Sequence, residues 1–492
     1  MLFNSIDFLI FFPIVVSVYL IIPKKLRTIW LLIASYYFYM SWNAKYALLI
    51  AFSTAVTYLS GLALEKSSRA ASNPERKKKL CVFVSFFLNL SVLGLFKYAD
   101  FVLENLNHLS AILHLNITFL PDRLGLLLPV GISFYTFQAL SYTMDVYRGR
   151  IRAERNFLRY ALFVSFFPQL VAGPIERSEN LLPQLCRLEE LSVWNRENIR
   201  DGLLLMVWGL FQKLVIADRI SIVVREVYQN YTHYGLAEIA LSTLLFAFQI
   251  YCDFGGYSDI ARGAARVMGI NLMHNFRQPY FAVGIRDFWR RWHISLTSWF
   301  TDYLYIPLGG SRCGTLKKYL NIFIVFFVSG LWHGASWNFV AWGMLHAFYQ
   351  IGEDCLSKCI KPRTRSVLSN RPATVGKILL TFLLADFAWL FFASEDMAHV
   401  LRLLAQMGGV LYSGNLAELN FTVFDWVVLL SALVVLFIVD LLHERGVSVF
   451  SIFNRRSICL RIPCYLALIW GVILLGVYGY QYDVGQFIYF QF

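Results

Sequence analysis

Charge is what this chain has little of. Asp, Glu, Lys and Arg make up 15% of the 492 residues, against 58% hydrophobic and 17% aromatic residues. A soluble globular domain carries about a quarter charged residues, so this balance excludes that class, and it excludes a disordered chain as well. Acidic residues are the scarcer sign, 31 against 44 Lys and Arg, which leaves a net charge of +13. The surplus does not call for a nucleic acid. The basic residues sit in short loops between apolar runs, as the positive-inside rule expects of a polytopic membrane protein. Cysteine is sparse, eight residues scattered through the chain. Cys355 and Cys359 lie one helical turn apart, but no second pair or His cluster completes a metal site, so the cysteines read as structural and no metal is expected. No basic n-region precedes the first apolar run and no small-residue cleavage site follows it, so it is expected to stay as a membrane helix. Paired carboxylates within the apolar runs and an internal repeat are not apparent, which weighs against a transporter.

What is present is a succession of apolar runs. Residues 6–23, 28–42, 46–64, 80–97 and 124–146 read as crossings, with basic loops at Arg76 to Lys79 and Arg148 to Arg155. Residues 157–173 stop at Gly173-Pro174 and suit a re-entrant or interfacial element and a full crossing equally. Further crossings follow at 202–224, 237–254, 377–394, 425–442 and 463–479. The run 319–350 has basic residues at both ends, so it needs an even number of passes, most simply a helical hairpin broken near Gly330–Gly334. The sum is an all-α polytopic membrane protein of about eleven crossings plus re-entrant and interfacial helices. One membrane domain over 1–480 is expected, with an extracytoplasmic tail over 481–492.

Two histidines stand out. From Asn321 to Ile351 there is no Asp, Glu, Lys or Arg, and His333 lies near the middle of that stretch. An ionisable side chain at such depth suggests a functional site, although a histidine satisfied by a neighbouring helix is an equal reading on position alone. His293 lies in RDFWRRWHISLTSWF, where Ile285, Phe288, Trp289, Trp292, Leu296, Trp299 and Phe300 recur at helical spacing between charged residues. That pattern predicts one interfacial helix. It serves either as a Trp/Arg belt at the headgroups or as a basic rim that receives a phosphate-bearing donor.

Five stretches then carry a family resemblance: LPVGISFYTFQALSYTMDVYRG (128–149), FPQLVAGPIER (167–177), YCDFGGYSDIARG (251–263), FWRRWHISLTSWFTDYLYIPLGG (288–310) and LWHGASWNFVAWG (331–343). In order, they resemble the membrane-bound O-acyltransferases, in the bacterial branch that acylates alginate, peptidoglycan and teichoic acid, and most of all its alginate O-acetylation members. The resemblance implies helices around a thin centre with a tunnel between a funnel on each side. It implies that His333 is the catalytic histidine and His293 the second signature histidine. It also implies a cytoplasmic thioester donor, acetyl-CoA in the acetylating systems, and an acceptor outside. The last six residues, FIYFQF (487–492), resemble the acyl-shuttle hexapeptide of the same systems. By that resemblance Tyr489 accepts the acyl group and passes it to an extracytoplasmic serine acyltransferase of the alginate- or peptidoglycan-acetylating kind. The plainer reading of FIYFQF is an aromatic interfacial anchor.

The chemistry of such a relay runs downhill from thioester to phenyl ester to alkyl ester. Phenol and imidazole differ by roughly 3.5 pKa units, about 5 kcal/mol, so a base such as His333 must remove the proton as the bond to carbon forms. Tyr489 lies nine residues past Tyr480. At about 3.3 Å per residue the tail has roughly 30 Å of reach. The middle of the membrane is about 15 Å from the interface. Arg290, Arg291 and Arg312 are the candidates for the phosphates of acetyl-CoA, and Trp289, Trp292, Trp332 or Trp337 for packing on its pantetheine arm. Two other readings stand beside this one: D-alanyl or other acyl transfer from a carrier-protein thioester, and a proton-coupled transporter using His333. The acceptor polymer stays open among alginate, peptidoglycan, cellulose and other glycans.

Overall fold

The computed structural model describes residues 1–68, 73–114, 123–171, 173–191, 194–359, 371–414, 421–454, 456–478 and 488. Among these residues the elements are all helices. Seven are long and apolar enough to cross a membrane: Ala44–Ser67, Pro74–Ile112, Leu236–Val267, Thr315–His333, Pro372–Ala393, Val423–Glu444 and Ile458–Leu475. The other runs read as crossings form shorter or interrupted helices. The run 124–146 yields only Ile132–Tyr147, because Pro129 and Gly131 (φ +74°) hold the chain out of helix before it. The run 157–173 forms two short helices, Phe157–Ser165 and Phe167–Leu170, neither of them long enough for a full crossing.

By internal contacts the chain forms two compact units, Met1–Leu203 with Ala261–Met273, and Leu204–Ile260 with His274–Phe492. In the first unit the Ala47–Ser68 helix packs on Pro74–Leu93 and Ile132–Tyr147. Its polar groups are paired inside: Tyr160 donates its hydroxyl to Thr57 at 2.7 Å, and Arg27 donates to the carbonyls of Leu188 and Leu191, both at 3.0 Å.

The second unit has an aromatic core around Trp292, Trp342 and Trp389, all fully buried. The hairpin of Thr315–His333 and Trp337–Cys359 packs into it together with Arg371–Ala393. Outer helices of this unit turn apolar side chains outward. Val423–Glu444 buries Val428, Leu429, Ala432 and Leu436 and exposes Val427, Leu430, Val434 and Phe437. An apolar face on that scale belongs against lipid rather than water. One further helix, Met397–Gly409, lies between the crossings expected at 377–394 and 425–442. It buries His399, Val400 and Leu403 and exposes Leu401.

Candidate active site

His333 owes its place to the end of a helix. The Thr315–His333 helix stops at Gly334, which is extended (φ −159°), and the chain turns back into Trp337–Cys359. Gly334 is needed for room rather than for its dihedrals, since a Cβ there would run into the Phe339 ring. The expected broken hairpin is therefore present, with its break just after the histidine.

His293 is placed differently from expectation. The interfacial helix is two helices, Ile285–Arg291 and Ile294–Phe300, and His293 is the joint in left-handed conformation (φ +43°). A non-glycine residue there costs on the order of 1–3 kcal/mol, and such strain gathers at functional sites. The joint is held from behind: Ile294 N–H donates to the Asn275 carbonyl at 2.9 Å, and Ser295 donates its hydroxyl to Asn275 Oδ1 at 2.6 Å. Turning the chain there carries His293 into the core, where it is fully buried. Burial pushes its imidazole down to about 3, so it is neutral near pH 7.

The two histidines meet. Their ring centroids are 6.5 Å apart, and both pack on Trp332, at 5.9 Å from His293 and 4.9 Å from His333. Trp342 at 4.9 Å and Phe392 at 5.2 Å complete the cage around His333, and Phe254 lies 4.6 Å from His293. His346 is one ring further on: Trp342 packs on it at 5.1 Å, and Trp289 donates its indole N–H to His346 Nδ1 at 3.3 Å. Its place 13 residues after His333 on the same uncharged run was the available signal. Among the described residues no three His, Cys, Asp or Glu side chains group as metal ligands would.

A cavity of about 390 Å³ adjoins this cage. Its lining includes Ser329, one turn before His333, and Thr297, one turn after His293, so the helices carrying both histidines form its wall. Trp289, Phe300 and Phe326 also line it, and Arg286, Arg290 and Lys318 bring positive charge. Arg286 and Lys318 are fixed by Asp354, at 3.0 and 2.7 Å, and Lys358 joins the same carboxylate at 2.9 Å. Lys318 first, with Lys358, holds the Asp354 carboxyl well below the usual carboxylate range. Of the three cations on this carboxylate, Arg286 and Lys318 line the cavity, and Glu353 accepts the Arg286 backbone N–H beside them at 3.0 Å.

Of the residues proposed to hold a donor, Trp289 and Arg290 line this cavity, and Trp332 touches both histidines instead. Arg291 is committed elsewhere, in a two-pronged pair with Glu444 (2.6 and 3.1 Å) and a bond to Asp287 (3.0 Å). Arg312 is exposed and outside the lining. Arg286 and Lys318 were missed because pairing to Asp354 across helices leaves no mark in local spacing.

Tyr489 lies outside the described residues, but Ile488 before it is buried in the core of the second unit and donates its N–H to Asp253 Oδ2 at 2.9 Å. Asp253 also pairs with Lys213 at 2.6 Å, and Lys213 with Asp218 at 2.7 Å. This corrects the expectation that the apolar runs hold no paired carboxylates. Asp218 and Asp253 sit in separate runs, and only packing brings both to one lysine.

Comparison with known proteins points the same way. Residues 150–393 match the membrane-bound O-acyltransferase family. The chain is 37% identical over 426 residues to a probable alginate O-acetylase of Pseudomonas putida, covering 85% of this chain and 82% of that protein. It is 36% identical over 406 residues to a peptidoglycan O-acetyltransferase of Helicobacter pylori, covering 78% and 74%. A teichoic acid D-alanyltransferase of Bacillus subtilis is 28% identical over 283 residues, covering 55% and 70%.

Proposed function

The chain belongs to the membrane-bound O-acyltransferase family, and from that premise we propose that it takes an acetyl group from cytoplasmic acetyl-CoA and delivers it across the membrane for O-acetylation of an envelope or exported polysaccharide. The reading rests above all on one observation: histidines 40 positions apart in sequence share a single buried aromatic cage beside a cationic cavity. The family and the apolar helices make it a multi-pass membrane acyltransferase. The bacterial inner membrane, with the C-terminus outside, is the proposed setting.

In the proposed reaction the donor's phosphates meet Arg286, Arg290 and Lys318, and its pantetheine arm runs along Trp289 and Phe326 toward Ser329. His333 acts as general base. It takes the phenolic proton of Tyr489 while the phenol oxygen bonds to the thioester carbonyl carbon. The C–S bond then breaks, and the proton passes from His333 to the leaving thiolate. Such a base contributes on the order of 10²–10⁴-fold in rate. The acetylated tyrosine passes its acyl group to a serine on an extracytoplasmic partner transferase, and the partner selects the polymer.

The test is the intact mass of the C-terminal peptide after membranes are incubated with acetyl-CoA, with His333→Ala and Tyr489→Phe alongside. One added acetyl on Tyr489 in the wild type, absent from both variants, is the expected result. Consumption of acetyl-CoA with Tyr489 unmodified would sink the relay, and labelling only in the presence of a charged carrier protein would move the donor to that class.

A further inference from the structure

The ion cluster of Lys213, Asp218 and Asp253 has no part in the relay as written, yet it is almost completely buried. Lys213, Asp218 and Asp253 are 3%, 4% and 2% exposed. Burying charge is costly unless every ion is matched. Here one ammonium bridges two carboxylates, at 2.7 and 2.6 Å. Asp253 Oδ1 pairs with the Lys213 ammonium, and its Oδ2 accepts from the N–H of Ile488. The tail thus supplies a donor to the carboxylate whose other oxygen is taken up by the lysine.

The position of this contact matters as much as its charge. Phe254, the next residue after Asp253, lays its ring 4.6 Å from His293, and His293 lies 6.5 Å from His333. Ile488 is 3% exposed, within the same core as Trp292 and Trp342. Consecutive Cα atoms are about 3.8 Å apart, so pinning residue 488 leaves Tyr489 little beyond its own dihedrals with which to find its place.

We propose that Asp253, held by Lys213 and Asp218, is the seat of the C-terminal peptide and the positioning residue that sets the register in which Tyr489 is delivered to the two histidines. The proposal rests on the Tyr489 relay for its purpose, but the seat itself stands on Ile488. The contact uses a backbone N–H and an apolar side chain, so it fixes register without constraining the neighbouring side chains. One hydrogen bond to an ion changes occupancy by about tenfold to a hundredfold. That is enough to order the tail and little enough to let it leave for a partner.

The test uses the full-length protein in membranes, with two readouts: deuterium exchange at the Ile488 amide in the C-terminal peptide, and acetyl gain on Tyr489 at limiting acetyl-CoA. Slow exchange is expected in the wild type. Asp253→Asn should speed it about tenfold or more and slow acetylation by a similar factor, with the KM for acetyl-CoA unchanged. A purely structural role would not produce that split. Ile488→Pro removes the N–H while leaving the ion cluster untouched. It should lower acetylation to the same extent, and it carries the test alone should Asp253→Asn fail to fold. Unchanged acetylation in Ile488→Pro, or slow exchange retained in a folded Asp253→Asn, overturns the seat. Slow exchange that Asp253→Asn abolishes, in a wild type whose Tyr489 never gains acetyl, keeps the seat and removes the relay.

Discussion

His293 is the residue whose behaviour separates a buried site from a surface one. Its imidazole is pushed down to about 3 by burial, against an ordinary value near 6.5. Between those values the unfolded chain binds a proton that the folded chain refuses. The stabilising effect is therefore complete above about pH 6.5 and is lost as pH falls toward 3. Thermal unfolding followed from pH 7 down to 4 should show a decline that His293→Gln makes shallower. A decline of the same slope in both proteins would mean that His293 takes up its proton without unfolding. By the same shift His293 adds no limb to a pH–rate profile between pH 5 and 8, so any limb there belongs to another group. The sequence singled out both histidines by their motifs. It did not show the left-handed joint at His293, because Trp292 and Leu296 on either side continue the helical pattern.

Among the elements, the hairpin of Thr315–His333 and Trp337–Cys359 sets where His333 stops. Its two helices approach at glycines: a Cβ on Gly343 would overlap the carbonyl of Phe326, and one on Gly330 the carbonyl of Phe339. An alanine at Gly343 gains about 1 kcal/mol in helix propensity. The atom it meets is backbone and cannot swing away, so overpacking of about 1–3 kcal/mol outweighs that gain. Gly343→Ala should thus lower the melting temperature in detergent and reduce acyl transfer together, whereas Gly352→Ala, with nothing within 4 Å of its Cβ, should do neither. Equal melting of Gly343→Ala and wild type would show that the hairpin has slack. The uncharged stretch around His333 and its basic flanks made this hairpin legible in advance. The helix Met397–Gly409 was not, because its 13 residues are too few to read as a crossing between the runs 377–394 and 425–442.

At the scale of the whole molecule, the net charge of +13 becomes specific where Arg286, Arg290 and Lys318 share one cavity. Arg290 is exposed and stands apart from the Asp354 cluster, which makes it the cleanest probe. Arg290→Gln should raise the KM for acetyl-CoA several-fold with kcat nearly unchanged. Raising ionic strength from 0.01 to 0.15 M shortens the Debye length from about 30 to 8 Å and should erase most of that difference. An acetyl-pantetheine donor without phosphates should be indifferent to both changes. A KM that moves equally for both donors would argue against a phosphate site at this edge. The apolar runs, the basic loops and both histidines were determined by the sequence alone, because membrane insertion depends on transfer free energies summed along short stretches of chain. Only the tertiary structure decided that His293 and His333 share one cage, that Arg291 is spent on Glu444 while Arg286 and Lys318 line the cavity, and that Ile488 rests on Asp253. Periodicity tells which face of a helix is apolar. Which distant residue meets that face follows from packing whole helices together, and no local window of sequence contains it.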